Sequence, residues 1–303
     1  MVIWYVQENL YTCDIVKRWI IKIKKFFNII DIKKVDEKTI CELPFLPDRK
    51  IKRINNVAKK LNKILYKNDV QNIVLSEELY KHEELKNILY SNNINILNGR
   101  KLFNYLAYEV LQYILDKQDK DIRETEVSIL VNDNNETNLR NISLIAKDAK
   151  RINIITNNIN KFKVIEKNLL NESGIMIRIT NNCKQALVNS RIILNMDFPE
   201  ELLNKYNIFR KAIIINLNNE IKILPKKFQG INIKGIKCHI PEQYKMDMFE
   251  NEVVYESLII KLKDFSSIRN QITKDNVRIE SLIGNNGKIS NEEFSKIHLT
   301  KNV

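Results

Sequence analysis

The chain is predicted to adopt an α/β fold, with a doubly wound parallel sheet in its C-terminal half preceded by a smaller α/β domain. Four of five short runs in that half are nearly unbroken in apolar residues, as expected for strands buried on both faces. Segments with helical apolar spacing separate the runs, and this alternation produces parallel sheets. The runs are residues 127–131, 152–155, 175–179, 192–194 and 212–217.

The segments between the runs each have one apolar face. Between the first two runs, apolar side chains from Leu139 to Ala149 share a face, and Thr137 or Asn138 can cap the start of that helix. A similar pattern separates the second run from the third. Such β-α-β units, joined by right-handed crossovers, form a Rossmann-like sheet, and we predict this domain over residues 126–240.

Residues 1–120 are predicted to form the smaller N-terminal α/β domain. Helical and strand-like patterns alternate here as well, and their order again favours a parallel sheet. Ser76 ends the first apolar run and can cap the helix that follows. The predicted elements are a helix over 51–66, a strand over 70–75, a helix over 77–90, a strand over 94–97 and a helix over about 101–115.

Two further segments complete the predicted organisation. The highly charged stretch from Asp116 to Thr125 is the predicted linker between the domains. Beyond Ile231 the strand pattern fades. Residues 241–303 are predicted to be a helical segment, with one or two helices over residues 244–262 that can pack back against the N-terminal domain.

The turn after the first strand of the Rossmann-like domain is where such folds bind a dinucleotide. Glycine is needed there, because it lets the backbone approach the phosphates closely. Here residues 132–138 read NDNNETN, and no glycine occurs between Gly99 and Gly174. Asparagine tolerates left-handed backbone angles, so the turn can still form. Asp133 and Glu136 place negative charge where the pyrophosphate would lie, and we therefore predict that no cofactor is bound.

The alternative is an NAD(P) site in which polar side chains take over from glycine amides. In that case Asn132, Asn134 and Thr137 donate hydrogen bonds to phosphate. No Ser-His-Asp order, P-loop or H-E-x-x-H motif is present, so no catalytic residue is assigned. The candidate cofactor-binding residues are Asn132, Asn134, Thr137, Thr156, Asn157 and Asn195.

Residues 127–217 resemble the NAD(P)-binding domain shared by shikimate dehydrogenases and glutamyl-tRNA reductases. The resemblance lies in the order of elements, in KRINIITNN over 150–158 and in SRIILN over 190–195. It implies a Rossmann fold and, in that family, NADP-dependent oxidoreductase activity. The family's second strand usually ends in Asn-Arg-Thr, whose arginine holds the 2′-phosphate of NADP, and Asn157 occupies that position here. Asn195 matches a polar position at the end of the fourth strand.

The catalytic lysine and aspartate of shikimate dehydrogenases are not carried over. Pro44 and Phe45, followed by Asp48, Arg49 and Lys50, are similar to the segment that carries the lysine. The family's Asn-Thr-Asp element has no counterpart before the Rossmann-like domain. The resemblance therefore supports ancestry and fold, and leaves oxidoreductase activity as an alternative.

Residues 14–30 predict a basic amphipathic helix. Trp19, Phe26 and Phe27 share one face with several isoleucines, while lysines occupy the other. Such a face is most often buried against its own domain, and that is our prediction. The alternative is docking on an anionic membrane surface through Trp19, Phe26, Phe27 and the neighbouring lysines.

Composition limits the remaining possibilities. The net charge is +13, but the lysines are spread along the chain, so we predict no dedicated nucleic-acid role. No apolar run is long enough to cross a membrane. Except for the adjacent Cys238 and His239, the cysteines and histidines lie far apart in the sequence. This spacing predicts no disulfide framework and no zinc site, and it favours the cytoplasm. The cysteines and histidines are Cys13, Cys41, Cys183, Cys238, His82, His239 and His298.

The segment from Asn285 to Phe294 resembles the second half of an EF-hand loop. Counting back from Gly287, the first and third calcium-ligand positions fall on Leu282 and Gly284, which supply no carboxylate. A turn followed by a helix with a capping box of Ser290 and Glu293 accounts for the same residues.

Three functions remain open at this point. We expect a non-catalytic protein that binds a small ligand or a protein partner on a Rossmann-like scaffold. The first alternative is an NAD(P)-dependent oxidoreductase. The second is a peripheral membrane or polyanion binder that uses residues 14–30.

Overall fold

The computed structural model describes residues 2–8, 15–36, 38–44, 51–218, 221, 228–262 and 264–297. They fall into two units, Met1–Gly99 with Ile240–Leu262 and Arg100–His239 with Lys263–Val303. Some residues named above lie outside the described part of the chain, namely Cys13, Phe45, Asp48, Arg49, Lys50 and His298.

The described residues form both helices and strands, distributed along the whole chain. In chain order the elements are β1 (Ile3–Glu8), α1 (Ile15–Phe27), β2 (Asp31–Val35), β3 (Lys38–Leu43), α2 (Ile51–Lys67), β4 (Asn72–Leu75), α3 (Glu77–Tyr80), α4 (Glu83–Ser91), β5 (Asn95–Ile96), α5 (Arg100–Tyr105), α6 (Ala107–Asp116), β6 (Glu126–Leu130), α7 (Glu136–Asp148), β7 (Arg151–Ile155), α8 (Ile159–Ser173), β8 (Met176–Thr180), β9 (Ile192–Asn195), α9 (Glu200–Leu203), β10 (Ile213–Asn216), β11 (Ile231–Ile233), β12 (Gly235–His239), α10 (Asn251–Ile259), α11 (Phe265–Lys274), β13 (Arg278–Gly284), β14 (Gly287–Lys288) and α12 (Asn291–Ser295). Two short 3-10 helices lie at Ile122–Glu124 and Glu242–Tyr244.

The first unit is built on a sheet whose described strands have the order β2-β3-β1-β4-β5. All neighbouring strands are parallel except β2, which is antiparallel to β3. Ser76 caps α3, as predicted, by accepting a hydrogen bond from the backbone N–H of Leu79. The helix predicted over 77–90 is interrupted at Lys81 and His82, and the helix predicted over 101–115 is interrupted at Leu106.

Both faces of this sheet are covered. Trp4 and Val6 of β1 point to one face and pack with α2 and α4, whereas Ile3 and Tyr5 point to the other and pack with α10. Tyr5 Oη lies 2.7 Å from Ser257 Oγ of α10. Helix α10, which lies within the predicted helical region 244–262, therefore packs against the N-terminal sheet, as predicted.

The predicted burial of the apolar face of residues 14–30 is wrong for the side chains that the structure describes there. Trp19, Ile23, Phe26 and Phe27 are exposed, whereas Ile30 packs against the core. The reason is that α2 and α4 occupy one face of the sheet and α10 occupies the other. The described side chains of α1 belong to neither cluster.

The second unit contains six described strands in the order β11-β10-β9-β6-β7-β8, all parallel. Numbered along the chain, this is 6-5-4-1-2-3, which is the Rossmann order. All five predicted runs form strands. The sixth strand, β11, was not predicted, because its INI segment is too short for a clear pattern.

The division near residue 100 differs from the boundary predicted near 120. Helices α5 and α6 belong to the second unit, where Tyr108 of α6 donates a 2.5 Å hydrogen bond to Asp148 at the end of α7. Arg269 of α11 forms a two-pronged ion pair with Glu109. The charged segment predicted as a linker therefore lies within this unit.

An antiparallel sheet of β12, β13 and β14 completes the second unit among the described residues. The prediction of a helical segment over residues 241–303 is therefore wrong for β13 and β14, which form this sheet with β12. Ser290 and Glu293 form the predicted capping box at the start of α12. The side chain of Ser290 accepts from the N–H of Glu293, whose carboxylate accepts from the N–H of Ser290.

Burial should make two cysteines differ in reactivity. Cys41 in β3 is fully buried, and burial raises the pKa of its thiol to about 12. Cys183 is partly exposed. Because the thiolate is the nucleophile, we expect iodoacetamide at neutral pH to modify Cys183 and leave Cys41 unmodified in the folded protein. Peptide mapping by mass spectrometry checks this, with both thiols reacting in denaturant. Modification of native Cys41 would count against the structure.

Candidate functional site

In an open parallel sheet, ligands bind at the carboxyl ends of the strands where the strand order reverses. In the second unit this point lies between β6 and β9, which are neighbours in the sheet. The loop 131–135 follows β6, and Met196 and Asp197 follow β9. These two segments form the candidate site.

The loop after β6 does not have the shape of a nucleotide-binding turn. Residues 131–135 are all described, and none of them has a positive φ. The left-handed turn that asparagine was expected to support is therefore not formed. Elsewhere in the chain asparagine and aspartate do take this conformation, at Asn28, Asp36, Asp69, Asn93, Asp119 and Asn276.

The backbone amides of this loop bind a carboxylate of the same chain. Asp197 accepts one hydrogen bond from the N–H of Asn132 and another from the N–H of Asp133, each at 2.7 Å. The Nδ2 of Asn138, in the first turn of α7, lies 3.4 Å from the same carboxylate. A helix N-terminus with free loop amides is where a Rossmann fold holds phosphate. Here Asp197 occupies that position.

The electrostatics of Asp197 show that its charge is only partly compensated. Burial raises the pKa of this carboxyl above its ordinary value, the two amide hydrogen bonds lower it, and the charge of Asp133 raises it further. The net direction is upward. Desolvation therefore costs the carboxylate more than the two amides return. A second anion, such as a pyrophosphate, would meet Asp197 and Asp133 at the same place.

Three of the predicted candidate residues come together beside this carboxylate. The Oδ1 of Asn132 accepts from the N–H of Asn157 at 2.8 Å and from Thr156 Oγ1 at 3.4 Å. Its carbonyl oxygen accepts from Nδ2 of Asn158 at 2.9 Å. The polar groups of Asn132 thus bind the loop after β7, while its N–H binds Asp197.

The start of α7 differs from the prediction. The N-cap is Asn135, whose side chain accepts from the N–H of Asn138 at 2.9 Å, and neither Thr137 nor Asn138 caps the helix. Asn138 is fully buried and donates to the carbonyl oxygen of Asp133 at 2.8 Å. Thr137 is partly buried and Asn134 is exposed.

The remaining candidate, Asn195, belongs to a buried ladder of asparagines across three strands. Its Nδ2 donates to Oδ1 of Asn216 at 3.0 Å, and Nδ2 of Asn216 donates to Oδ1 of Asn232 at 2.5 Å. Asn195 also bonds the backbone N–H and carbonyl of Phe198, which fixes the turn that carries Asp197. Its contacts within the described residues are thus structural.

A second asparagine chain crosses the same edge of the sheet. Asn141 of α7 donates to the side-chain oxygen of Asn104 at 2.8 Å, and Asn104 donates to Asn218 at 3.0 Å. Asn218 donates to the carbonyl oxygen of Met196. The Oδ1 atoms of Asn138 and Asn141 are buried without a hydrogen-bond partner in the described structure. Both residues are fully buried, so these two oxygens are enclosed in the fold.

Sequence reasoning missed Asp197, Asn216 and Asn232 as members of this site. Asn195 and Asn216 share one register across β9 and β10, and each ends an otherwise apolar strand. That repetition, IILN followed by IIIN, was the available signal. Asp197 had none, since an aspartate two residues beyond a strand has no pattern of its own.

The described part of the chain contains no recognisable metal-binding site. No group of three or more His, Cys, Asp or Glu residues is placed there to hold an ion. Cys238 is buried and its neighbour His239 is exposed, as expected for adjacent residues of a strand. His239 lies 3.7 Å from Glu280. No helix in the described residues is long and apolar enough to cross a bilayer.

Comparison with known proteins finds distant structural similarities and no family. No family model and no curated protein sequence matches the chain. It is similar to the solved structure of L-tryptophan dehydrogenase from Nostoc punctiforme, with 9% identity, a TM-score of 0.28 and coverage of 98% of this chain and 78% of that one. It is also similar to ornithine carbamoyltransferase from Pyrococcus furiosus, with 11% identity, a TM-score of 0.26 and coverage of 71% of each chain. At these TM-scores the similarities carry no conclusion about this chain. The Rossmann order of the second unit is read from its own strands.

Proposed function

We propose that the protein is a non-catalytic binding protein whose Rossmann unit has replaced the dinucleotide phosphate with its own aspartate. The observation that carries the proposal is the pair of 2.7 Å hydrogen bonds from the amides of Asn132 and Asp133 to Asp197. These amides are the donors that a pyrophosphate would need. An incoming cofactor would have to displace a carboxylate of the same chain.

The hydrogen-bonding character of the edge also supports the proposal. The amides of Asn132 and Asp133 both donate to Asp197, and the carboxylates of Asp133 and Asp197 lie beside each other at this edge. Carboxylate oxygens are hydrogen-bond acceptors, so they suit a ligand that donates, such as one with an amino or hydroxyl group, and do not suit a phosphate. A small ligand at this edge would therefore differ from NAD(P) in kind.

The alternative is an NAD(P)-dependent oxidoreductase related to shikimate dehydrogenase or glutamyl-tRNA reductase. It would use the exposed Asn157 at the end of β7, beside Thr156, to contact the ribose of the cofactor. It would also require the amides of Asn132 and Asp133 to release Asp197. The two functions therefore differ in whether dinucleotide binds at all.

A thermal-shift titration with NADPH, NADP, NADH and NAD distinguishes the two functions. A ligand at about 100 times its dissociation constant stabilises a fold by about 2.7 kcal/mol, which moves the melting temperature measurably. We expect no shift with any of the four, while a dinucleotide-binding reference protein responds in the same assay. A saturable shift with one cofactor, weakened by Thr156→Ala and not by the exposed control Lys163→Ala, would establish the oxidoreductase alternative.

A further inference from the structure

The described part of residues 19–35 in the first unit has an outward-facing apolar surface. The exposed fractions are 65% for Trp19, 78% for Phe26 and 59% for Phe27. Ile20, Ile23, Ile29, Ile32 and Val35 are exposed as well. So many large apolar side chains exposed within one short segment mark an interaction surface. We call these eight residues the α1–β2 surface.

Polar contacts hold α1 with this face outward. Lys24 forms a 2.6 Å ion pair with Asp31 of β2. Lys60 of α2 donates to the carbonyl oxygens of Phe27 at 2.9 Å and Asn28 at 3.2 Å, which satisfies the C-terminal end of α1. An amphipathic helix on a globular domain normally does the opposite and turns its apolar stripe inward. The apolar stripe of α1 is therefore left for a partner.

The composition of α1 indicates the chemistry of that partner. At 3.6 residues per turn, Trp19, Ile20, Ile23, Phe26 and Phe27 span an arc of about 120°. Lys22 and Lys24 flank the two sides of the arc, and Lys22 Nζ lies 5.8 Å from the Trp19 ring centroid. The helix sequence IVKRWIIKIKKFF contains five basic residues and no acidic residue.

We propose that the α1–β2 surface docks on an anionic phospholipid bilayer. A short helix with Trp and Phe on its apolar face and Lys or Arg beside it lies in the interface plane, where the rings enter the acyl boundary and the cations meet lipid phosphates. Nucleic acid would use the cations and stack on the rings, but it offers nothing to the exposed isoleucines. The proposal is independent of whether the Rossmann unit binds a dinucleotide.

The two tryptophans make the test specific. Trp4 is 6% exposed and Trp19 is 65% exposed, and they are the chain's only tryptophans. Vesicles of phosphatidylcholine with phosphatidylglycerol should shift the emission of the full-length protein to shorter wavelength and co-sediment it at low ionic strength. Phosphatidylcholine alone should bind more weakly, and added salt should reduce binding. Trp19→Phe should keep co-sedimentation but lose the spectral shift.

Two variants, each with a control, separate the contribution of the inserted aromatic rings from that of the lysine charges. Phe26→Ser with Phe27→Ser should weaken vesicle partitioning about tenfold or more, while the equally exposed control Val164→Ser on α8 leaves it unchanged. Lys22→Glu with Lys34→Glu should abolish the preference for anionic vesicles, while Lys163→Glu should not. Melting temperatures of all variants show that they are folded.

Three outcomes would overturn the proposal. The first is no binding to anionic vesicles at low ionic strength by the folded wild-type protein. The second is concentration-dependent self-association that the phenylalanine variant abolishes while vesicles are ignored, which would make a second copy the partner. The third is binding to a DNA or RNA oligonucleotide that the same variant abolishes while vesicles are ignored.

Discussion

Asn216→Ala is expected to destabilise the second unit by about 2–5 kcal/mol, because it removes two hydrogen bonds inside a fully buried ladder and leaves polar groups of its neighbours unpaired. Asn216 accepts from Asn195 and donates to Asn232, and none of the three is more than slightly exposed. Asn195 also fixes the turn that carries Asp197. Chemical denaturation followed by circular dichroism measures the loss of stability.

An exposed asparagine pair provides the matched control. Asn95 donates to Asn72 at 2.8 Å between neighbouring parallel strands on the surface of the first unit. Water can replace that contact, so Asn72→Ala should change the stability by no more than about 0.5 kcal/mol. Equal effects of the two substitutions would show that the Asn216 ladder is not buried as the structure describes.

Gly230→Ala is expected to lower the stability of the second unit at least as much as Asn216→Ala does. A β-carbon at Gly230 would lie 1.9 Å from the carbonyl oxygen of Ala212. This distance is far shorter than any van der Waals contact, so the backbone would have to move. The same carbonyl accepts a 3.1 Å hydrogen bond from the N–H of Ile231 at the start of β11. Relief requires β11 to move away from β10, and we expect a loss of about 3 kcal/mol or more in the free energy of unfolding.

Gly235→Ala is the control for this substitution. A β-carbon there would lie 3.9 Å from that of Ile283, which is an ordinary van der Waals contact. We expect a change within about 0.5 kcal/mol. Denaturation of both variants under the same conditions tests the contrast. A stable Gly230→Ala protein would contradict the close approach of β10 and β11.

The Rossmann unit was predictable because its strands are buried on both faces. Runs such as IILN in β9 and IIIN in β10 are then continuously apolar, and the helices between them keep a clear 3.6-residue period. The N-cap at Ser76 and the capping box at Ser290 were predictable for a similar reason, since each depends on a few adjacent residues. Local chemistry determines these features.

Other features depend on contacts that a sequence pattern does not contain. The apolar stripe of α1 reads like a buried face, and its exposure follows only from the fact that α2, α4 and α10 already cover the sheet. The N-cap of α7 is Asn135, one of several adjacent residues that could have served. The binding of Asp197 to amides 64 and 65 residues earlier in the chain is a tertiary contact.

The central claim is that the loop amides after β6 are bound by Asp197, and hydrogen–deuterium exchange tests it most directly. We predict slow exchange of the N–H groups of Asn132 and Asp133 in the wild-type protein. In Asp197→Ala their exchange should accelerate at least about tenfold, while the amide of Ile154 in β7 exchanges as before. Fast exchange of both amides in the wild-type protein, unchanged by the substitution, would contradict the account.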